Sequence, residues 1–223
     1  MDERYIRNFP ALTEEECVLL GTKRIAIIGC GGIGGHLIDQ AARLGIGTIR
    51  VIDGDIFNKS NLNRQLLCSE AAIGKYKVDI ANKHVSKINS MCTTEAYCTM
   101  LTTENALHLL ANCDLAIDAL DNIEARYVLA QAASTLNIPV VYGAIRGWIA
   151  QAAVYMPDEP LIDMLYPNHV RLTDKSVLSF TPALCASLQM ALTVKLLIGR
   201  PVKSGTLYYF DLLNQEYENI NLL

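Results

Sequence analysis

Six residues in the first fifth of the chain, Gly29-Cys30-Gly31-Gly32-Ile33-Gly34, satisfy G-x-G-x-x-G. They follow a short β-branched run, Lys-Arg-Ile-Ala-Ile-Ile, and precede a helix-compatible stretch that reaches about Leu44. Glycines at Gly29, Gly31, Gly32 and Gly34 would let the backbone approach a phosphate closely, and the start of the helix favours negative charge. Asp53 ends the next β-branched run, where an acidic side chain of a dinucleotide fold meets the ribose hydroxyls. These two features alone fit a nicotinamide dinucleotide as well as any other nucleotide.

The following residues are richer in polar and cationic groups than hydride transfer requires. They are Asp53-Gly54-Asp55, then Ser60-Asn61-Leu62-Asn63-Arg64-Gln65, then Gly74-Lys75-Tyr76-Lys77. Arg64 offers a planar fork to phosphate oxygens, and Lys77 a flexible charge near a helix start. Two cations beside a Gly-rich turn suggest a triphosphate; the plain alternative for Lys75 and Lys77 is a solvated first helical turn. Farther on, Asp118-Ala119-Leu120-Asp121-Asn122 ends another apolar run. Asp121 suits Mg²⁺, which is held by one or two carboxylates plus substrate phosphates. Taken by itself, Asp121 or Asn122 reads better as a cap for the helix that follows.

Positioning these groups requires alternating strands and helices. Residues 23–29, Thr48–Asp53, Glu95–Thr99, Leu115–Asp118 and Pro139–Tyr142 read as strands. Helices are expected to Leu44, over Lys75–Ile88, Glu104–Ala111 and Glu124–Leu136. This predicts an α/β, Rossmann-like, mostly parallel sheet with helices on both faces. Ile149–Tyr155 follows too short a connection for a crossover helix, so it should run antiparallel. Pro157–Phe180 reads as a loop, Pro182–Ile198 as a helix closed by Gly199 and Pro201, and Leu207–Phe210 with Glu216–Ile220 as a hairpin. Antiparallel strands are therefore added toward the C-terminus. The 223 residues are expected to form a single domain, with an N-terminal arm over about 1–22 and a crossover loop over about 157–180.

Nineteen Lys and Arg against 23 Asp and Glu leave a net charge of −4, which offers no broad attraction to nucleic acid or an anionic membrane. Seven cysteines are scattered without a C-x-x-C pair, arguing against a disulfide framework and a four-thiolate zinc site. No zinc is expected, and a reducing cytoplasm is the expected compartment. The apolar Ala183–Ile198 stretch is interrupted by Gln189 and Lys195, so no membrane span is read there. His36, His84, His108 and His169 share no metal-ligand spacing and are expected at surface or helix positions. Trp148 is expected to pack in the core or at an interface.

Together, G-x-G-G-x-G, Asp53-x-Asp55, Ser60-Asn61-Leu62-x-Arg64-Gln65, Gly74-x-x-Lys77 and Asp121-Asn122 resemble the ThiF/MoeB/HesA family, bacterial relatives of the ubiquitin-activating enzymes. The resemblance runs from Arg4-Tyr5-Ile6-Arg7-Asn8 to Lys195-Leu196-Leu197-Ile198-Gly199. It implies an adenylyltransferase that uses ATP and Mg²⁺ to activate the C-terminal glycine carboxylate of a small ubiquitin-like sulfur carrier ending in Gly-Gly. It further implies that Asp53 holds the ribose, that Asn61, Arg64 and Lys77 contact the phosphates, and that Asp121 binds Mg²⁺. Asp55, Gln65 and Asn122 complete the nucleotide set, Gln65 by shaping its loop. Arg7 matches an arginine that reaches across a dimer interface, which implies a homodimer.

The chain departs from many relatives in having no paired cysteines for zinc and no cysteine in the crossover loop. Cys185, after Pro182, reads as a small buried thiol. Three other functions compete with the first: activation and cyclisation of a carboxylate on a modified tRNA nucleoside, a nicotinamide-dependent oxidoreductase, and a non-catalytic subunit. The oxidoreductase leaves Arg64, Lys77 and Asp121 without a role.

Overall fold

Alternation along the first strand shows how the sheet is covered. In β1 (Arg24–Ile28), Ile25 and Ile27 enter one core while Ala26 and Ile28 enter another on the opposite face. In the computed structural model, which describes residues 2–167 and 176–223, the same division repeats in β4 (Leu115–Asp118), with Leu115 and Ile117 on one side and Ala116 on the other. Strands buried on both faces must be apolar throughout, hence the unbroken aliphatic runs.

The described residues form one eight-stranded sheet in the order β3-β2-β1-β4-β5-β6-β7-β8. Here β2 is Thr48–Ile52, β3 Thr93–Tyr97, β5 Val140–Arg146, β6 Ile149–Tyr155, β7 Thr206–Asp211 and β8 Glu216–Asn221. The first five pair in parallel and the last three add antiparallel, as the short connections require. On one face lie α1 (Glu14–Leu20), α2 (Gly32–Leu44), α3 (Lys77–Ile88) and α7 (Phe180–Leu197); on the other lie α4 (Ala106–Leu110), α5 (Ile123–Leu136) and α6 (Leu161–Leu165).

Several boundaries move. The sheet continues to Arg146, four residues beyond the expected end of β5, because β6 pairs with it along its whole length down to Arg146 and Ile149. The expected loop over 157–180 contains α6, whose Leu161 and Ile162 are buried in the second core, and α7 begins two residues before Pro182. Proline is compatible with the first helical turn, where its missing N–H has no helical partner. Residues 168–175 of that loop, including His169, lie outside the described residues.

The chain before β1 is structured as well. A 3₁₀ turn spans Glu3–Asn8, and α1 follows behind a capping box in which Thr13 and Glu16 bond each other's backbone N–H. Helix α7 is long and apolar enough to cross a membrane by composition, yet its faces are claimed by the sheet and α2. Cys185, Gln189 and Thr193 are fully buried there, and Gln189 donates to the carbonyls of Asp118 (2.8 Å) and Val141 (3.0 Å). Cys185 is the buried thiol expected, with burial pushing its pKa up to about 12.

Candidate active site

The strand order reverses between β1 and β4: from β1 the chain moves outward to β2 and β3, and from β4 it moves the other way. In an open α/β sheet the crevice at the carboxyl ends of such strands is where ligands bind. The Gly-rich turn lies there. Gly29 adopts φ +103°, and a Cβ on it would lie 2.5 Å from the carbonyl of Ala119 after β4. A Cβ on Gly34 would lie 1.9 Å from the carbonyl of Gly29, so this glycine sets how closely α2 packs on β1. Gly31 precedes α2 with no side-chain cap. A Cβ on Gly31 would meet nothing closer than Gln65, at 3.6 Å, and one on Gly32 nothing closer than Pro182, at 3.5 Å. Crowding therefore explains Gly29 and Gly34 but leaves Gly31 and Gly32 as backbone open to a ligand.

Asp53 follows β2 and is only 9% exposed. Its carboxylate accepts from the backbone N–H of Cys30 (2.7 Å), inside the Gly-rich turn, and from that of Asp55 (2.8 Å). Burial raises the Asp53 pKa above the usual carboxylate value, against the Cys30 hydrogen bond and the Lys77 charge, which lower it. Lys77, the first residue of α3, is 7% exposed, so it is not the solvated lysine that its position in a first turn allows. Its Nζ lies 3.0 Å from Asp55 and 3.9 Å from Asp53. The Asp55 side chain is 59% exposed and can yield its hold on the ammonium to a more highly charged group.

Arg64 is half-buried in the Asn-rich loop, its stem passing Gly32 and its Nη1 donating to the Ser60 carbonyl (3.0 Å) and to Asn63 (2.9 Å). Asn61 holds that loop by accepting from the Asn58 N–H at 2.9 Å through its Oδ1, which leaves its Nδ2 to donate elsewhere. Gln65 is buried beside Gly31 with its Oε1 unpartnered, and its backbone N–H donates to Asn61. Asn63 donates to the Val177 carbonyl, tying the loop to the segment that enters α7.

The capping alternative for Asp121 and Asn122 resolves in favour of Asn122. Its side chain accepts from the Ala125 N–H at 2.8 Å and begins α5, so its Oδ1 serves as the helix cap. Asp121 remains an exposed carboxylate on the turn adjoining Gly29. Among the described residues no three His, Cys, Asp or Glu gather to hold a metal ion. Asp121 alone still fits Mg²⁺ bound largely through substrate phosphates.

Arg7 lies elsewhere. Its 3₁₀ turn docks at the far end of α2, where Gly45 admits Tyr5 and Asn89 donates to Tyr5 Oη (2.7 Å) and to the Ala42 carbonyl (2.8 Å), while Arg4 donates to Asn89. Thirteen helical residues, about 20 Å, separate that end from Gly32. Arg7 follows Tyr5 by two residues in this arm, which docks at the end of α2 opposite the Gly-rich turn.

One buried cluster has no counterpart in the sequence reading. Arg126 on α5 pairs with Asp118 (2.9 Å) at the end of β4 and stacks over Tyr142 and Tyr166, whose hydroxyls bond at 2.7 Å. Burial opposes the charges of both partners and raises the Asp118 pKa; across the pair, Asp118 keeps Arg126 protonated. Only the eight-residue spacing links them in sequence, and that spacing carries no signal until the β4–α5 turn is known.

The ThiF family model matches residues 3–222. The chain belongs to the ThiF family. It is 30% identical over 236 residues to a sulfur carrier protein adenylyltransferase of Thermus thermophilus, covering 99% of this chain and 87% of that protein. It is 33% identical to an adenylyltransferase and sulfurtransferase MOCS3 of Arabidopsis thaliana, covering 95% of this chain and 48% of the relative, so the chain spans about half the length of MOCS3. Among solved structures, E. coli MccB with ATP shares the fold at a TM-score of 0.84 and 22% identity, over 100% of this chain and 72% of that one. The ThiF frame removes the nicotinamide-dependent alternative.

Proposed function

We propose that this ThiF-family chain uses ATP and Mg²⁺ to adenylate the C-terminal glycine carboxylate of a small ubiquitin-like sulfur carrier ending in Gly-Gly, releasing pyrophosphate. The observation that carries the reading is the gathering of Asp53, Lys77 and Arg64 about the uncapped start of α2 at the reversal of strand order, with Asp121 two residues beyond the Ala119 carbonyl that Gly29 approaches. The Thermus thermophilus relative is named for this type of activity, which supports the choice of substrate.

In this reaction a carboxylate oxygen of the carrier bonds to the α-phosphorus, the bond from that phosphorus to the bridging oxygen breaks, and pyrophosphate leaves. No protein nucleophile is needed; the protein aligns two anions and neutralises the charge gathering on the leaving group. Asp53 accepts from the ribose hydroxyls, and the open N–H groups beginning α2 receive phosphate oxygens. Lys77 exchanges Asp55 for phosphate, and Arg64 turns its fork toward the same group. Mg²⁺ on Asp121 would offset phosphate charge. Arg7, in an arm docked at the opposite end of α2, serves the site of a second copy in a homodimer.

The test is ATP–pyrophosphate exchange with a Gly-Gly-ending carrier. Exchange should require ATP, Mg²⁺ and the intact carrier tail, and Asp121→Ala should lower it at least about a hundredfold. An unchanged rate in that variant, or exchange with a carrier lacking its last two residues, overturns the reading.

A further inference from the structure

We propose that Arg126 is a positioning residue that fixes the β4–α5 turn so that Asp121 faces the phosphates. This rests on the nucleotide reading above and assigns Arg126 no contact with substrate. A single guanidinium, 4% exposed, spans three acceptors: Nη1 donates to Asp118 Oδ2 (2.9 Å), and Nη2 to the carbonyls of Leu120 (2.6 Å) and Gly143 (3.0 Å). Asp118 Oδ1 in turn accepts from the Leu120 N–H at 2.9 Å. Both polar groups of the residue before Asp121 are therefore held.

The Leu120 carbonyl shares a rigid plane with the Asp121 nitrogen and Cα. Holding that oxygen orients the peptide that presents Asp121, while Asn122 pins the following residue to the helix start. Asp121 is the exposed residue between two anchored ones. The third bond, to Gly143, refers the turn to β5, and Gln189 adds a second tie by donating to the Asp118 carbonyl. The stacked rings of Tyr142 and Tyr166 keep the guanidinium from swinging away.

Stability alone is a poor account of this arrangement. A buried ion pair gains little over well-packed apolar side chains, since desolvation offsets the attraction. What a three-way guanidinium supplies that apolar packing does not is a fixed direction for the Leu120 carbonyl. Lysine would preserve the charge facing Asp118 but cannot span the three acceptors in one plane.

Two variants test this: Arg126→Lys, and the neutral double variant Asp118→Asn with Arg126→Gln, which leaves no buried charge unpaired. ATP binding is titrated calorimetrically in EDTA and then with Mg²⁺, and Mn²⁺ bound with ATP is followed by its paramagnetic signal. Both variants should bind ATP in EDTA as the wild type does. Both should lose about tenfold in affinity for the metal in the presence of ATP, with a changed Mn²⁺ spectrum. Wild-type metal affinity in either folded variant overturns the proposal. So does failure of both to fold, which would make Arg126 a fold residue only. Because no carrier enters the experiment, a wild type that binds Mg²⁺ and ATP but exchanges no pyrophosphate sinks the proposed reaction alone; one that binds no ATP sinks both.

Discussion

Asp53 is asked to hold the protein and a ligand at once. Its carboxylate fastens the Gly-rich turn through Cys30 and the entry to the next loop through Asp55, and its remaining lone pairs are those that would meet a ribose. Because burial raises its pKa, the folded chain keeps a proton that the unfolded chain has already released near pH 3.8. Its contribution to stability is thus full below pH 3.8 and is lost as pH rises from there through the folded-state pKa. Asp53→Asn should flatten that part of the curve of Tm against pH, and should weaken ATP binding at neutral pH by roughly ten- to a hundredfold through loss of charged acceptors. A variant with the wild-type slope and affinity would show that neither role is real. At this scale the sequence was informative wherever a residue stood in a run of unusual types, as with Asp53, Arg64 and Lys77. It was silent on Arg126, whose three partners come from β4, its following turn and β5, and on whether Asp121 or Asn122 takes the cap, which depends on backbone geometry at one residue.

Among the elements, α2 and β1 meet through glycines that do different things. Gly34 lets the helix rest on the Gly29 carbonyl, whereas Gly32 faces Pro182 at an ordinary distance. Gly34→Ala should cost about 3 kcal/mol, lowering Tm by roughly 10 °C. Gly32→Ala, at a helical position with space for a methyl, should leave Tm within about 3 °C. Thermal melts of the two variants check this, and equal losses would contradict the packing described. The parallel strands β1 and β4 were legible because burial on both faces forces continuous aliphatic runs, whereas the edge strand β3, Thr-Thr-Glu-Ala-Tyr over Thr93–Tyr97, has none and was expected two residues late, at Glu95–Thr99. Helix α6 was not, because its five residues follow Pro157-Asp158-Glu159-Pro160, turn-forming residues that mask a buried Leu161-Ile162 pair. The arm before β1 was equally obscure: its docking depends on Gly45 and Asn89, forty residues or more downstream.

At the scale of the molecule, the two ends of α2 separate the chemistry from Arg7. The arm is fixed at the carboxyl end of that helix by Tyr5, Arg4 and Asn89, opposite the end that carries the Gly-rich turn. The proposed action of Arg7 in another copy fits a closed two-fold dimer, which would give each chain one site and one arginine to lend. Two inactive variants can then repair each other. Arg7→Ala keeps Asp121 and lacks the arginine; Asp121→Ala keeps the arginine and lacks the carboxylate. When chains are mixed and allowed to exchange, each mixed dimer contains one complete site and one doubly defective site. With random pairing, half the dimers are mixed, so pyrophosphate exchange should recover to about one quarter of the wild-type rate at equal total chain concentration. Recovery would fail if Arg7 served its own chain, since every site would then lack one of its two residues. It would also fail if the chains did not pair, and sedimentation of the wild type separates those two causes.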